Sequence, residues 1–261
     1  MTALSQPQPL FQTADAARPA YQLRLARSAA DLQAAQALRF EVFNLELDEG
    51  LAQSWDTGLD ADPFDAVCEH LIVEDPAQGA VIGTYRLQTG ARAAAGLGYY
   101  SEREFDFSPF EAMRVQILEL GRACIHIDHR NFAVLNLLWK GIGAYALGQG
   151  ARYLLGCSSL TTQNPAVGAA AWRALQRHQA PAAWCTLPQP GFACDLGGDA
   201  AQRASPPHRI PRLLSAYLAL GAVICGPPAI DREFRTVDFL TLLDVQSPTV
   251  QAMQQRGRFV V

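Results

Sequence analysis

The chain has 261 residues, 49% hydrophobic and 18% charged, a composition that supports a packed core and excludes a collagen-like or wholly disordered protein. Its formal net charge is −4, from 21 basic and 25 acidic side chains, which excludes a strongly basic surface, so no nucleic-acid partner is expected. Apolar runs such as Phe132–Trp139 and Leu213–Leu220 are broken by Asn136 and Ser215 and fall short of the ~20 residues a bilayer span needs.

The first twenty residues carry no apolar core of the kind a signal peptide needs, and they read as a disordered tail ahead of a single domain over 21–261. Tyr21, Leu23 and Leu25 alternate with polar residues as a half-buried strand does, and Ser28 with Asp31 forms a capping box that opens a helix bearing Leu32, Ala35, Val42 and Phe43. The stretch 46–68 contains Gly50, Gly58 and Pro63 and predicts a long ordered loop. His70–Glu74 and Ala80–Thr89 flank a turn-forming segment and predict a hairpin.

Beyond a Gly/Ala-rich link, Val115–Cys124, Asn131–Leu147 and Arg152–Ser158 read as strand, helix and strand, a β-α-β unit with parallel outer strands. Asn164-Pro165 leads into a helix over Ala169–Gln176, and Pro211 opens another over Leu213–Leu220, closed by Gly221. Strands follow near Val223–Cys225 and Val237–Leu243, while the Pro/Gly-rich stretch 186–208 reads as a loop or insertion.

Charge is unevenly spread. Eight carboxylates and no Lys or Arg lie between Glu46 and Glu69, whereas Arg114 to Arg177 holds seven basic residues against two acidic ones. Such runs are either solvated faces or sites for a cationic small molecule and an acidic partner, respectively. The six cysteines are scattered without a CxxC pair, as reduced core thiols of a cytoplasmic protein are. His126 and His129 offer two ligands where a structural metal site needs about four, so no metal is expected. Motifs of serine hydrolases, zincins and P-loop proteins are absent.

A spaced combination says more: Arg39-x-x-x-Phe43-x-x-Glu46, Asp62-x-Phe64-Asp65, Gly83-Thr84-Tyr85-Arg86-Leu87, and Glu119-Leu120-Gly121-Arg122. This order resembles the acyl-homoserine-lactone synthases. It resembles far more closely the ornithine N-acyltransferases of ornithine-lipid biosynthesis, a hemolysin-like group of GNAT type. The closer similarity runs through FDAVCEHLIVED, GTYRL, YYSEREFDFS, ELGRACIHIDHRN, LLWKGIGAY, LLGCSS and YLALGA, from about Arg39 to Asp244.

The resemblance implies an α/β (α+β) GNAT-like acyl-CoA/acyl-ACP N-acyltransferase fold, a mixed twisted sheet with flanking helices. It implies transfer of a 3-hydroxy fatty acyl group from acyl carrier protein to the α-amino group of ornithine, giving lyso-ornithine lipid. The donor is the phosphopantetheine thioester of acyl-ACP, and no bound cofactor is implied. Relatives that use acetyl-CoA cradle its pyrophosphate on a glycine-rich loop. The matching segment here, His129 to Val134, contains no glycine, which favours a single phosphodiester held by Arg130 and the helix start at Asn131 and Phe132. The basic segment then becomes a docking face for acyl carrier protein, and the lipid product suggests peripheral contact with the inner membrane face.

Glu119 falls in an otherwise apolar strand, where an unpaired carboxylate costs several kcal/mol, so it needs a partner or a task. Arg122 is on the opposite face of a regular strand, but a bulge at Gly121 brings the two together. In the functional reading Glu119, directly or through one water, is the base that deprotonates the amine; its pKa is raised by burial, and a backbone N–H freed by the bulge holds the oxyanion. The alternative is a buried Glu119–Arg122 pair that only orders loops. Asp62, Asp65, Arg39 and Arg86, with Glu46, match the acceptor-site cluster of the homoserine-lactone synthases, and equally make an ion-pair lattice. Leu118, Leu120, Phe132, Leu135, Leu138 and Trp139 either flank a fatty chain or pack the core. Cys124 and Cys157 read as buried apolar thiols. Rival acceptors, amino acids other than ornithine or S-adenosylmethionine, and a non-catalytic acyl-binding module complete the alternatives.

Overall fold

The structure, a computed structural model, describes residues 10–12, 21–197 and 210–255. Strand β1 (Phe11–Gln12) pairs antiparallel with β2 (Gln22–Leu25); the rest of the segment read as an N-terminal tail lies outside the described residues. Helix α1 (Ala29–Phe40) starts on the expected capping box, Asp31 N donating to Ser28 Oγ at 3.1 Å and Ser28 N to Asp31 Oδ2 at 3.1 Å. It runs on as a π-helical turn over Glu41–Glu46. The acidic stretch is then a long loop with two short helical turns, α2 (Ser54–Thr57) and Pro63–Ala66.

The hairpin forms as β3 (Glu69–Asp75) and β4 (Ala80–Thr89). The Gly/Ala-rich link folds as α3 (Gly90–Ala95), followed by 3-10 turns at Tyr100–Arg103 and Ser108–Gln116. The β-α-β unit is β5 (Ile117–Ile125), α4 (Phe132–Gly148) and β6 (Tyr153–Leu160), with β5 and β6 parallel. Helix α5 (Pro165–Leu175) is capped by Asn164, and α6 (Arg212–Ala219) follows Pro211. The chain returns through β7 (Val223–Ile224), β8 (Ala229–Asp231) and β9 (Thr236–Asp244) to α7 (Pro248–Gln255). Two elements, β8 and α7, are not legible as periodic patterns: β8 is three residues long, and α7 is short and mostly polar.

The strands form one mixed sheet in the order β1-β2-β3-β4-β5-β6-β9-β7, with β8 also on β9; every pairing except β5–β6 is antiparallel. Helix α4 covers one part of the sheet, where Leu137, Leu138 and Ile142 meet Leu23, Leu71 and Leu87 in the main core. Tyr99, Phe105, Phe107 and Phe110, from the turns before β5, pack with Ile117, Leu155 and Leu240 in a second core. Two irregularities of β5 and β6 position the site. The parallel pairing covers only Ile117 to Glu119 against Tyr153 to Leu155 and then stops. Against β4, Arg86 faces Gly121 and Thr84 faces Cys124, so β5 bulges at Arg122–Ala123. Arg122 takes φ +50° there, and the bulge anticipated at Gly121 is present one residue on.

Candidate active site

Where β5 and β6 part, a cavity of about 850 Å³ opens. Glu119, Leu120, Gly121 and Arg122 line it from β5, and Gly156, Cys157 and Ser158 from β6. A Cβ on Gly156 would sit 2.1 Å from the Leu120 carbonyl oxygen, so only glycine permits this approach at the point of divergence. One wall is apolar, made by Phe132, Leu135 and Trp139 of α4 with Leu213 and Tyr217 of α6. Phe132 is 72% exposed and Leu120 is partly buried, whereas Leu118, grouped with them from sequence, is wholly buried in the main core and does not line the cavity. Position along the strand explains the difference: Leu118 and Leu120 share a face, but Leu118 lies within the paired part of β5 and β6 and Leu120 just beyond its end.

Glu119 is buried, and its carboxylate is held by the 3-10 turn before β5. Tyr100 N donates to Oε2 at 2.8 Å, Ser101 N to Oε1 at 2.8 Å, and Ser101 Oγ to Oε1 at 2.6 Å. Burial raises its pKa, and these three bonds offset part of the rise. The expected Glu119–Arg122 pair is corrected by the structure: Arg122 turns to the acidic loop, Nη2 meeting Asp62 Oδ2 at 3.0 Å and Nε meeting Asp60 Oδ1 at 3.4 Å. Its guanidinium also stacks 4.1 Å above the Phe234 ring.

The cluster expected around the acceptor exists as a lattice of three arginines and three aspartates. Arg39 bonds Asp60 at 2.8 Å and Asp65 at 2.5 Å, Arg86 bonds Asp62 at 2.6 Å and Asp65 at 3.0 Å, and Arg122 closes the set. Burial works against ionisation of Asp62 and Asp65, yet the neighbouring arginines hold both carboxyls below their ordinary range. Of this lattice only Arg86 and Arg122 reach the cavity; Arg39, Asp62 and Asp65 form the supporting layer behind them.

Glu46 is not part of the lattice. It pairs with Arg130, both contacts 2.5 Å, so the guanidinium read as a free phosphate ligand is already engaged, its Nε donating to the Ile125 carbonyl. Asn131 Oδ1 caps α4 by accepting from Val134 N at 3.2 Å, and Arg130, Asn131 and Phe132 all line the cavity. The basic run is not a uniform face either: Arg114, Arg122, Arg130 and Arg152 of its seven cations form ion pairs within the chain. Most of the acidic run is likewise answered, through Asp48–Arg235 and Glu69–Arg92 in addition to the pairs above.

Sequence reasoning missed a second acidic group. Glu49, Asp231 and Asp238 line the cavity, and Glu104 borders Asp231 from a smaller neighbouring recess. Burial pushes Glu49 up to about 7, and burial with mutual repulsion raises Glu104 and Asp238. Asp238 lies in the otherwise apolar strand β9, so the argument that singled out Glu119 also applies to it. Cys157 lies nearby, its Sγ 3.6 Å from Ser101 Oγ and 3.7 Å from Glu104 Oε2. Burial pushes its thiol well above the ordinary range, which works against a nucleophilic role. All six cysteines are free.

Among the described residues no helix is long and apolar enough to cross a membrane. Residues 38–140 match the family model of an acetyltransferase (GNAT) domain. Two solved structures share the fold over 92% of this chain: FeeM, an N-acyl amino acid synthase from uncultured soil microbes, at TM-score 0.55 and 12% identity over all of its chain, and the AHL synthase LasI at TM-score 0.50 and 12% identity over 96% of its chain. The L-ornithine N(alpha)-acyltransferase of Rhodobacter capsulatus is 33% identical over 241 residues, 89% of this chain and 93% of the relative. That of Brucella abortus is 34% identical over 242 residues, 86% of this chain and 84% of the relative. With the GNAT-type sheet, the cavity at the parted strands and identity sustained over this length, the chain belongs to the L-ornithine N(alpha)-acyltransferase family.

Proposed function

We propose that this protein moves a fatty acyl group, 3-hydroxylated as the family resemblance implies, from the phosphopantetheine thioester of acyl carrier protein to the α-amino group of L-ornithine, giving lyso-ornithine lipid. The observation that carries the reading is the position of Glu119. It sits where β5 and β6 separate, on the wall of a cavity whose other side is apolar. A pantetheine arm entering at the start of α4 takes up the role of a strand between the two, its thioester beside the bulge at Arg122.

The α-ammonium of the acceptor gives a proton to Glu119, directly or through the Ser101 hydroxyl or one water, and the free amine attacks the thioester carbonyl. A backbone N–H of the bulged segment meets the oxyanion. Collapse releases the pantetheine sulfur, which takes the second proton of the attacking nitrogen, while the proton held by Glu119 passes to solvent; no acyl-enzyme is formed. Arg86 and Arg122 face the acceptor carboxylate, with Arg39, Asp62 and Asp65 holding them in place. Arg130, Asn131 and the exposed ring of Phe132 meet the phosphopantetheine, and Leu120 and Trp139 flank the acyl chain. The exposed ring of Phe132 at the start of α4 supports transient contact of this end with a membrane surface that receives the product.

The test is incubation of the purified protein with 3-hydroxyacyl carrier protein and, separately, ornithine, lysine, tyrosine and S-adenosylmethionine, with products identified by mass. An N-acyl ornithine product is expected. Thioester cleavage without an N-acyl product, or preference for another acceptor, rejects the assignment.

A further inference from the structure

We infer that Asp238, with Glu104 and Asp231 beside it, forms a recess that selects the acceptor through its side-chain ammonium group. The inference rests on the reading of ornithine as acceptor and adds the group that recognises the second nitrogen. The resemblance placed Asp62 and Asp65 at the acceptor, but both are bonded to arginines and neither lines the cavity.

The carboxylates of the recess lack that compensation. Asp238 is 3% exposed and Glu104 1%, and Asp238 Oδ1 and Glu104 Oε1 receive no hydrogen bond from any N–H or O–H donor. Asp238 Oδ2 accepts from the Thr236 hydroxyl at 3.1 Å, and Ser159 and Glu104 also bond this carboxylate, none of them a cation. A buried, uncompensated carboxylate costs several kcal/mol, a cost that a bound cation removes. Asp231 is in a different state, its Oδ1 accepting from the backbone of Glu233 and Phe234 and its Oδ2 from the Tyr100 hydroxyl. It contributes field rather than an open lone pair.

The nearby basic groups are committed elsewhere. Arg122 bonds Asp60 and Asp62, Arg103 bonds Glu233, and Arg232 donates to the Gly191 carbonyl. Burial and the neighbouring carboxylates raise both Glu104 and Asp238, and a bound ammonium favours their ionised forms.

Glu119 and Asp238 line the same cavity, and Ser101 Oγ and Cys157 Sγ connect Glu119 to Glu104 by contacts of 2.6, 3.6 and 3.7 Å, so both nitrogens of one amino acid, roughly 6 Å apart when extended, face carboxylates of one chamber. A neutral side chain of the same length leaves Asp238 unpaired.

The experiment compares L-ornithine with L-norvaline, the same side chain without its ammonium. Steady-state acyl transfer is measured for the wild type, Asp238→Asn and Asp231→Asn, with calorimetric binding of both amino acids alongside. The wild type is expected to favour ornithine at least a hundredfold in kcat/KM. Asp238→Asn is expected to lose at least tenfold on ornithine, chiefly through KM, while norvaline stays within about twofold. Asp231→Asn, which keeps its backbone contacts and so the fold, is expected to narrow the ratio at least threefold. Equal losses on both substrates, or an unchanged ratio, overturn the recess as the selector. So does discrimination that disappears with chelator and returns with zinc, which would assign Glu104, Cys157 and Asp238 to a metal. If the wild type does not acylate ornithine yet binds it over norvaline through Asp238, the reaction assignment fails and the recess stands.

Discussion

Glu119 and Arg122 lie three residues apart on one strand and serve different partners: Glu119 accepts from Tyr100 and Ser101, while Arg122 holds Asp60 and Asp62. The left-handed backbone of Arg122, φ +50°, separates them. A carboxylate that is buried, fixed in direction and not neutralised by its arginine neighbour retains the basicity that proton abstraction needs.

Glu119→Gln is therefore expected to lower kcat at least tenfold, in line with acid–base contributions of ~10²–10⁴, with circular dichroism reporting an intact fold. Ser101→Ala separates base from anchor. The Ser101 hydroxyl bonds the ionised form, so its removal raises the Glu119 pKa. Because the base works only when ionised, the acidic limb of the pH–rate profile is expected to move to higher pH. An unmoved limb assigns Glu119 to holding the 3-10 turn.

Arg39 is fully buried between Asp60 and Asp65. Arg39→Met removes a buried partner from two carboxylates, which keep only Arg122 and Arg86 respectively, and is expected to cost about 3 kcal/mol in urea unfolding. The lowered pKa of Asp65 adds a pH signature. A carboxyl depressed in the native state stabilises above its unfolded value, near 3.9, and this stabilisation is lost as pH falls. Wild-type stability is expected to drop below about pH 4, with a shallower slope in the variant.

Glu49 behaves in the opposite sense. Burial raises it to about 7 from 4.5, so the folded state binds a proton that the unfolded state releases between those values. Its contribution is favourable below 4.5 and is lost as pH rises through 7. Glu49→Gln mimics the protonated form and is expected to stabilise the protein by about 1–3 kcal/mol at pH 8, with no gain at pH 4. A thermal melt series across this range checks the sign.

Arg130 pairs with Glu46 at the cavity rim while 39% exposed, and exposed pairs contribute about 0–1 kcal/mol. Arg130→Ala is expected to leave Tm nearly unchanged and to raise KM for acyl carrier protein several-fold, without altering KM for ornithine. A matching rise for both substrates contradicts the donor-side role.

Local order was legible because its signals are local. The capping box at Ser28 and Asp31, the hairpin about residue 77, the β-α-β unit and the bulge beside Gly121 each depend on neighbours a few residues apart. The stray carboxylate in β5 was legible too, since an acid in an apolar strand must be answered somewhere.

Which group answers it is a question of three dimensions. Strand spacing with a bulge joined Glu119 to Arg122, and the resemblance gave Arg130 to a phosphate, whereas folding gave Glu119 to Ser101, Arg122 to Asp60 and Asp62, and Arg130 to Glu46. The recess around Asp238 draws Glu104 and Asp231 from segments more than a hundred residues apart, joined only because β8 and β9 close over the turn before β5. The amino-acid sequence thus determines where strands, helices and bulges form, through backbone geometry and periodic burial. The tertiary structure decides which charges meet, because Coulomb attraction and desolvation depend on distance through space, not along the chain.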